Sequence, residues 1–248
     1  MNSISFQNIK TKLAHALRGQ VVGRKWDVHF RKWIDDAQAR GVDPNDVGDE
    51  AWANDHLAQV LQDLYLKYVP VGGTVLELGP GTGRLTRHLI GHAGRIELID
   101  NSSFVIDWMT KYLTGRIEFG AHLIDMPQLP EIKSDSMDAI VAHGVFEHLD
   151  FDETYSFLKE FHRVLRPGRY VSYNYDNLLS LRGAEWFLQH HRGAGKRCIF
   201  RFYTPEFMAR IAQVAGFDVS RSVASDDRLA HIVLAKGQAA SQLSSTAI

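Results

Sequence analysis

The chain has 248 residues, 45% of them hydrophobic and 23% charged, with 28 basic residues against 29 acidic ones. That length suits one sizeable α/β domain with an elaboration, and that composition excludes wholesale disorder. The near-balance of charge leaves no general footprint for a phosphate backbone, so nucleic acid is not an expected partner.

The opening residues 1–6 lack a basic region followed by a long apolar run, and no segment of the chain reaches eighteen uninterrupted apolar residues. With Cys198 as the single cysteine, no internal disulfide is possible, and the expectation is a cytoplasmic chain that does not cross a membrane. Cys198 sits in the apolar run Cys198-Ile199-Phe200 and reads as a small core residue rather than a nucleophile. Residues 1–70 read as an amphipathic helical arm, with Trp26, Phe30, Trp33 and Ile34 at helical spacing and a break at Gly41-Val42-Asp43-Pro44-Asn45-Asp46. Such an aromatic stripe reads first as buried packing and second as a lid over a ligand.

From Thr74 the pattern changes to short apolar runs alternating with helical stretches, the mark of βαβ units around a parallel sheet. Strands are predicted near 74–78, 95–100, 117–120, 138–143, 169–174, 217–223 and 230–236. Helices are predicted near 83–92, 103–113, 151–165 and 205–215. Thr204 before Pro205 predicts the start of the last helix, from N-cap and N1 preferences. Residues 178–203 read as a substrate-specific insert holding Trp186, Phe187, His190 and His191. The cluster Arg192, Lys196, Arg197 and Arg201 reads as a solvated loop, and the tail 237–248 as disordered.

The richest stretch is Val75-Leu76-Glu77-Leu78-Gly79-Pro80-Gly81-Thr82-Gly83-Arg84, where an apolar strand turns on three glycines into a helix. Glycine lets a ligand approach the backbone, and the helix start offers N–H groups to it. A dinucleotide turn, Gly-x-Gly-x-x-Gly, needs its third glycine at position 84, which is Arg. Glu77 repels a pyrophosphate but suits a ligand with an amino group and hydroxyls. Asp100, which closes Arg95-Ile96-Glu97-Leu98-Ile99-Asp100, stands where a carboxylate accepts from both hydroxyls of a ribose, with Asn101 following it.

Here the chain resembles the class I S-adenosylmethionine-dependent methyltransferases, whose first motif reads acid-x-Gly-x-Gly-x-Gly. The resemblance covers about residues 74–236 and implies a doubly wound, seven-stranded, mostly parallel sheet with an antiparallel last strand, preceded by the helical arm. It implies that Glu77, Gly79, Gly81 and Gly83 hold the methionine end of S-adenosylmethionine, and that Asp100 with Asn101 holds the ribose. Ile124-Asp125-Met126-Pro127-Gln128-Leu129-Pro130 is similar to the family's Gly-Asp-Ala-x-x-Leu-Pro segment, which implies that Asp125 and the backbone of Met126 meet the adenine. His143-Gly144-Val145-Phe146-Glu147-His148-Leu149 resembles the strand-four motif of small-molecule O-methyltransferases of the ubiquinone-biosynthesis type. That implies His143 beside the methionine part of the cofactor and Glu147-His148 at the active-site mouth, with His148 as candidate catalytic base or, equally, as a structural residue that caps a helix or hydrogen-bonds a neighbouring loop.

Val164-Leu165-Arg166-Pro167-Gly168 matches a structural turn of the family before strand five. Beyond that strand, Tyr173, Tyr175 and Asp176 are candidates to line the acceptor site, with surface exposure as the alternative. The pair Asp176-Asn177 resembles metal-dependent catechol-type enzymes, but His143 stands where those carry a further Asp, so no metal is expected. The function implied is methyl transfer to a small-molecule acceptor, with a hydroxyl oxygen favoured over a small amine and a homo-oligomer compatible with either. The rivals are an NAD-dependent oxidoreductase and a non-catalytic methyltransferase-like binding subunit.

Overall fold

A computed structural model describes residues 23, 25–43, 59–191, 199–224 and 227–238. The tail beyond 238, the cations Arg192, Lys196 and Arg197, and Cys198 lie outside the described residues, as does the Pro44-Asn45-Asp46 half of the break.

Helix α1 covers residues 25–39, and one π turn at Leu61–Tyr65 and one 3-10 turn at Leu66–Tyr68 lead into the sheet. Strands β1 (Thr74–Leu78), β2 (Arg95–Asp100), β3 (Glu118–Leu123), β4 (Met137–Ala142), β5 (Leu165–Asn177), β6 (Phe202–Tyr203), β7 (Asp218–Val223) and β8 (Leu229–Ala235) form one sheet. Helices α2 (Thr86–Leu89), α3 (Ser103–Leu113), α4 (Phe151–Val164), α5 (Leu181–His190) and α6 (Pro205–Ala215) alternate with them. The order is β3-β2-β1-β4-β5-β8-β7, with the two-residue β6 added beside β5. Strands β1 to β5 pair in parallel, while β8 runs antiparallel to β5 and to β7.

The central strands form because both of their faces are covered. Every residue of β4, Met-Asp-Ala-Ile-Val-Ala, is buried, as a parallel strand between helical layers requires. One core packs Ile140, Phe146, Phe161, Tyr173 and Met208 on one face, and the other packs Val75, Leu89, Ile96, Leu98 and Met109. The strand order reverses between β1 and β4, so a crevice opens at their carboxyl ends, where open α/β sheets bind ligands. Among the described residues no helix is long and apolar enough to cross a membrane.

Several boundaries differ from the sequence reading. The helix expected over 83–92 is the four-residue α2, because the positive φ of Gly81 and Gly83 holds the approach as turns. Strand β3 runs to Leu123 rather than ending at 120. Strand β5 starts at Leu165 and absorbs the Arg166-Pro167-Gly168 turn as an irregularity: pairing with β4 jumps from Met137↔Leu165 to Ala139↔Tyr170. Gly168, at φ 76°, donates its N–H to the Lys236 carbonyl there, so the turn residues bend a strand instead of preceding one. The insert contains α5, capped by Ser180, whose hydroxyl accepts from the Gly183 N–H. The Thr204 cap of α6 stands as expected, accepting from Phe207 N–H at 3.2 Å.

Candidate active site

The glycine turn is built by geometry that side chains would block. Gly79 has φ 67° and donates to the Ile99 carbonyl at 2.8 Å, and a Cβ on it would stand 2.4 Å from Val145 Cγ2. Gly81 (φ 57°) faces the Phe30 ring, 3.3 Å from where its Cβ would be. Glu77 is 2% exposed, and its Oε2 has no hydrogen-bond partner. Burial pushes its pKa up to about 8; the neighbouring Thr86 hydroxyl opposes this and the Asp100 charge adds to it.

Asp100, at the end of β2, is 7% exposed and accepts from the Ser102 N–H at 2.8 Å. Its pKa rises to about 7 through burial, against the pull of the Ser102 and Asn101 N–H groups and with the help of Asp27. Asn101 is half-buried beside it, with its carbonyl against Gly23 of the arm. Ile124 N–H bonds the Asp100 carbonyl at 2.9 Å, which sets the next segment against the end of β2. There Asp125 is exposed and Met126 half-buried.

The raised carboxyl values carry a sign for stability. Folded Glu77 keeps its proton up to about pH 8, whereas an ordinary carboxyl of this type releases it near 4.5. Folding therefore holds a proton between those limits, and stability falls as pH rises through them. His143 works oppositely below 6.5, because burial first and then the charges of Arg84, His231 and Arg228 keep its imidazole neutral. Thermal melting between about pH 7 and 8.5 is thus expected to show falling stability, up to roughly 1 kcal/mol per pH unit from Glu77. Glu77→Gln flattens that slope; equal slopes in both proteins would overturn the assignment.

On the other side of the crevice, the ends of β4 and β5 gather polar groups. His143 Nδ1 lies 2.9 Å from the Tyr65 hydroxyl, and Asn174 Oδ1 accepts from the Gly144 N–H at 2.9 Å. The space above Gly144 is flanked by Arg84 Nη2 and Glu147 Oε1, 3.5 and 3.7 Å from where a Cβ would stand. Arg228 Nε reaches Asp176 Oδ1 at 3.0 Å, and its Nη2 is 4.0 Å from Glu147 Oε1. Tyr173, Tyr175 and Asp176 are all buried, so the surface alternative for them fails. The Tyr173 ring stacks on Phe146 at 4.0 Å, which places it in the core beneath the site.

His148 stands at the half-exposed rim, with its ring 4.8 Å from Trp26 and 5.3 Å from Phe200 between centroids. Its Nδ1 is 3.0 Å from the Ile199 carbonyl. A carbonyl only accepts, so Nδ1 carries the hydrogen and Nε2 carries the lone pair. Trp186 and His190 continue the aromatic band, each within 5.5 Å of Phe200. The doublet His190-His191 does not converge: His190 Nδ1 bonds the Trp186 carbonyl, while His191 packs on Phe187. Among the described residues no group of three or more His, Cys, Asp or Glu side chains is arranged to hold a metal ion.

Helix α1 lies across both halves. Asp27 Oδ1 accepts from Ser102 Oγ at 2.5 Å and from Phe104 N–H at 3.1 Å, at the start of α3. Phe30 covers Gly81 and Trp26 meets His148. Sequence reasoning gave no role to Asp27, Tyr65, Asn174 or Arg228, and took Arg84 only as a missing glycine. The one available signal was Asp27, an acid one residue from the aromatic stripe.

A methyltransferase-domain family matches residues 75–168. An uncharacterized methyltransferase of Oceanobacillus iheyensis is 33% identical over 93 residues, a match spanning 38% of this chain and 42% of that relative. Among solved structures, an S-adenosylmethionine-dependent methyltransferase of Methanosarcina mazei superposes with a TM-score of 0.58 at 17% identity, over 70% of this chain and 96% of that one. The DhpI complex with S-adenosylhomocysteine gives 0.55 at 19% identity, over 90% and 95%. The [4+2]-cyclase SpnF gives 0.58 at 15% identity, over 75% and 81%, so this architecture alone does not fix a reaction. Residues 75–168 thus match a methyltransferase-domain family, and the sheet built around them shares its fold with solved S-adenosylmethionine-dependent methyltransferases.

Proposed function

We propose that this chain transfers a methyl group from S-adenosylmethionine to a hydroxyl oxygen of a small-molecule acceptor. The observation that carries the reading is Glu77: a carboxyl group with an unpartnered oxygen, buried beside a glycine cradle and one strand away from Asp100. A buried acceptor atom of that kind is costly unless a ligand's donor meets it. The residues present fit the cofactor. Glu77 takes the amino group, the Gly79, Gly81 and Gly83 turn admits the methionine end, and His143 flanks it. Asp100 with Asn101 takes the ribose hydroxyls, while Asp125 and the Met126 N–H meet the adenine.

S-adenosylmethionine supplies a methyl group on a positively charged sulfur, an electrophile that needs no acid. The protein's work is to orient the acceptor, receive its proton and exclude water. His148 is the base: its Nδ1 is committed to the Ile199 carbonyl, so Nε2 takes the hydroxyl proton. Helix α1, the part of the 1–70 arm described beside the site, acts as a lid on the domain of residues 71–236, and its Asp27, Phe30 and Trp26 join it to the ribose, methionine and acceptor regions in turn. Within the 178–203 insert, Trp186, His190 and Phe200 supply the acceptor wall. A single cysteine suits a reducing, cytoplasmic setting.

Isothermal titration with S-adenosylmethionine, S-adenosylhomocysteine and NADH tests the cofactor directly. Saturable binding of the first two is expected; binding of NADH with neither of them would overturn the reading. Tight cofactor binding without transfer of labelled methyl to any member of a broad hydroxyl acceptor panel would favour the non-catalytic alternative.

A further inference from the structure

Two carboxylates at the ends of β4 and β5 are removed from water: Glu147 is 4% exposed and Asp176 0%. Glu147 Oε2 and both oxygens of Asp176 have no hydrogen-bond partner. The guanidinium of Arg228 lies between them, 3.0 Å from Asp176 Oδ1 and 4.0 Å from Glu147 Oε1. It also lies over aromatic faces, with its central carbon 4.6 Å from the Trp186 ring centroid and 5.9 Å from that of Phe200. Two anions and two ring faces around one organic cation is the composition of a cation-binding pocket.

We infer that this is a subsite for an ammonium group of the acceptor, with Arg228 as its internal occupant and competitor. The inference rests on the reading of this crevice as a methyl-transfer site and names the acceptor class: a hydroxylated amine in its protonated form. The arginine is an imperfect occupant. Its planar fork comes within ion-pair range of Asp176 Oδ1 but leaves all three oxygens without a hydrogen bond, whereas a compact ammonium with three rotatable donors reaches more than one oxygen. Charge points the same way. With both carboxyls ionised, Glu147, Asp176, Arg84 and Arg228 sum to zero; burial and the Glu147 charge push the Asp176 pKa up to about 7 and Arg228 opposes them, so a monocation that takes the place of the half-buried Arg228 side chain keeps Asp176 ionised. A neutral or anionic acceptor offers Asp176 no such partner and leaves it to take up a proton, so only a cation recovers the ion pair that Arg228 gives up.

The pocket also separates recognition from reaction. An ammonium held by two carboxylates keeps its proton and has no lone pair, so it is not the atom that is methylated. The nucleophile is the hydroxyl at the other end of the molecule, on the His148 side. Arg228 is anchored for such an exchange. Its carbonyl accepts from Asn177 N–H at 2.8 Å and fixes the backbone, while the side chain extends from the segment that precedes β8.

Three matched phenols test this on the full chain saturated with S-adenosylhomocysteine: tyramine, 4-ethylphenol and 4-hydroxyphenylacetate, which carry a positive, a neutral and a negative end. Binding is read by calorimetry and by quenching of tryptophan fluorescence. Tyramine is expected to bind about tenfold tighter than either analogue, the scale of one charge-assisted hydrogen bond. Asp176→Asn and Glu147→Gln should each remove most of that preference, and Arg228→Gln should tighten tyramine by removing its competitor. Equal binding of the three phenols by the unaltered protein overturns the inference, and that comparison needs no variant to fold. Tightest binding of 4-hydroxyphenylacetate, lost in Arg228→Gln, would make Arg228 an anion receptor and overturn it too. So would failure of tyramine to bind at millimolar concentration in protein that binds S-adenosylhomocysteine. Protein that fails to bind S-adenosylhomocysteine refutes the methyl-transfer reading instead, and the tyramine comparison, repeated without it, still tests the pocket.

Discussion

Replacing Asp100 by Ala is expected to weaken S-adenosylmethionine binding by about 2–4 kcal/mol, the loss of one or two hydrogen bonds to a charged group. Calorimetry at about pH 8 reads this as a rise of roughly 30-fold to 1000-fold in Kd. The site around the variant should survive, because α3 has its own cap: Ser102 Oγ accepts from Val105 N–H at 3.1 Å, and Asp27 accepts from Phe104 N–H. The pH dependence sharpens the expectation. Burial holds the Asp100 pKa at about 7, with Asp27 adding to the rise. A ligand that needs both carboxylate oxygens as acceptors favours the ionised form, so its binding releases a proton and its Kd falls as pH climbs from about 6 to 8. Asp100→Asn keeps one acceptor oxygen and cannot ionise. It should bind with intermediate affinity and a flatter pH profile, its remaining slope coming from Glu77. Unchanged affinity in Asp100→Ala would refute the ribose assignment.

The parts of this architecture that could be read from the chain are those whose causes are local. Strand β1, the glycine turn and the acid at Glu77 sit within ten residues, and each is dictated by its own backbone or burial requirement. The Thr204 cap and the Asp150-Glu153 capping box of α4 are equally local. What could not be read depends on distant partners. Residues 83–92 carry a helical pattern, but α2 starts only at Thr86, after the turn that the cradle imposes, and Ile90 is already extended. Tyr65 meets His143 across 78 residues, and Arg228 reaches Asp176 only because β8 folds back antiparallel on β5, pairing Leu229 with Asp176. The arm shows the same limit. Helical spacing of Trp26, Phe30 and Trp33 is common to core packing and to a lid, and only the position of α1 across Gly81, Ser102 and His148 separates them. Helix α5 is a different case: Ser180 and the amphipathic run after it carried a visible N-terminal signal that the reading of 178–203 as a loop passed over.

Replacing His148 by Ala is expected to lower kcat by about 100-fold or more, the contribution of a positioned general base, with S-adenosylmethionine affinity nearly unchanged. The acceptor hydroxyl is a poor nucleophile until its proton leaves, and Nε2 of His148 is the ring nitrogen left with a lone pair by the bond from Nδ1 to Ile199. Because the ring also packs between Trp26 and Phe200, a loss in the alanine variant alone would not separate chemistry from shape. His148→Phe separates them, since it restores the aromatic contact with Trp26 and Phe200 but offers no lone pair. If His148 is the base, His148→Phe is as slow as His148→Ala, both lose the pH dependence that the base imposes, and acceptors of greater acidity suffer less because they need less help in ionising. If the ring only packs, phenylalanine restores turnover and the pH profile does not move. Recovery of turnover in the phenylalanine variant would therefore assign His148 to the wall of the acceptor site and leave proton removal to the solvent.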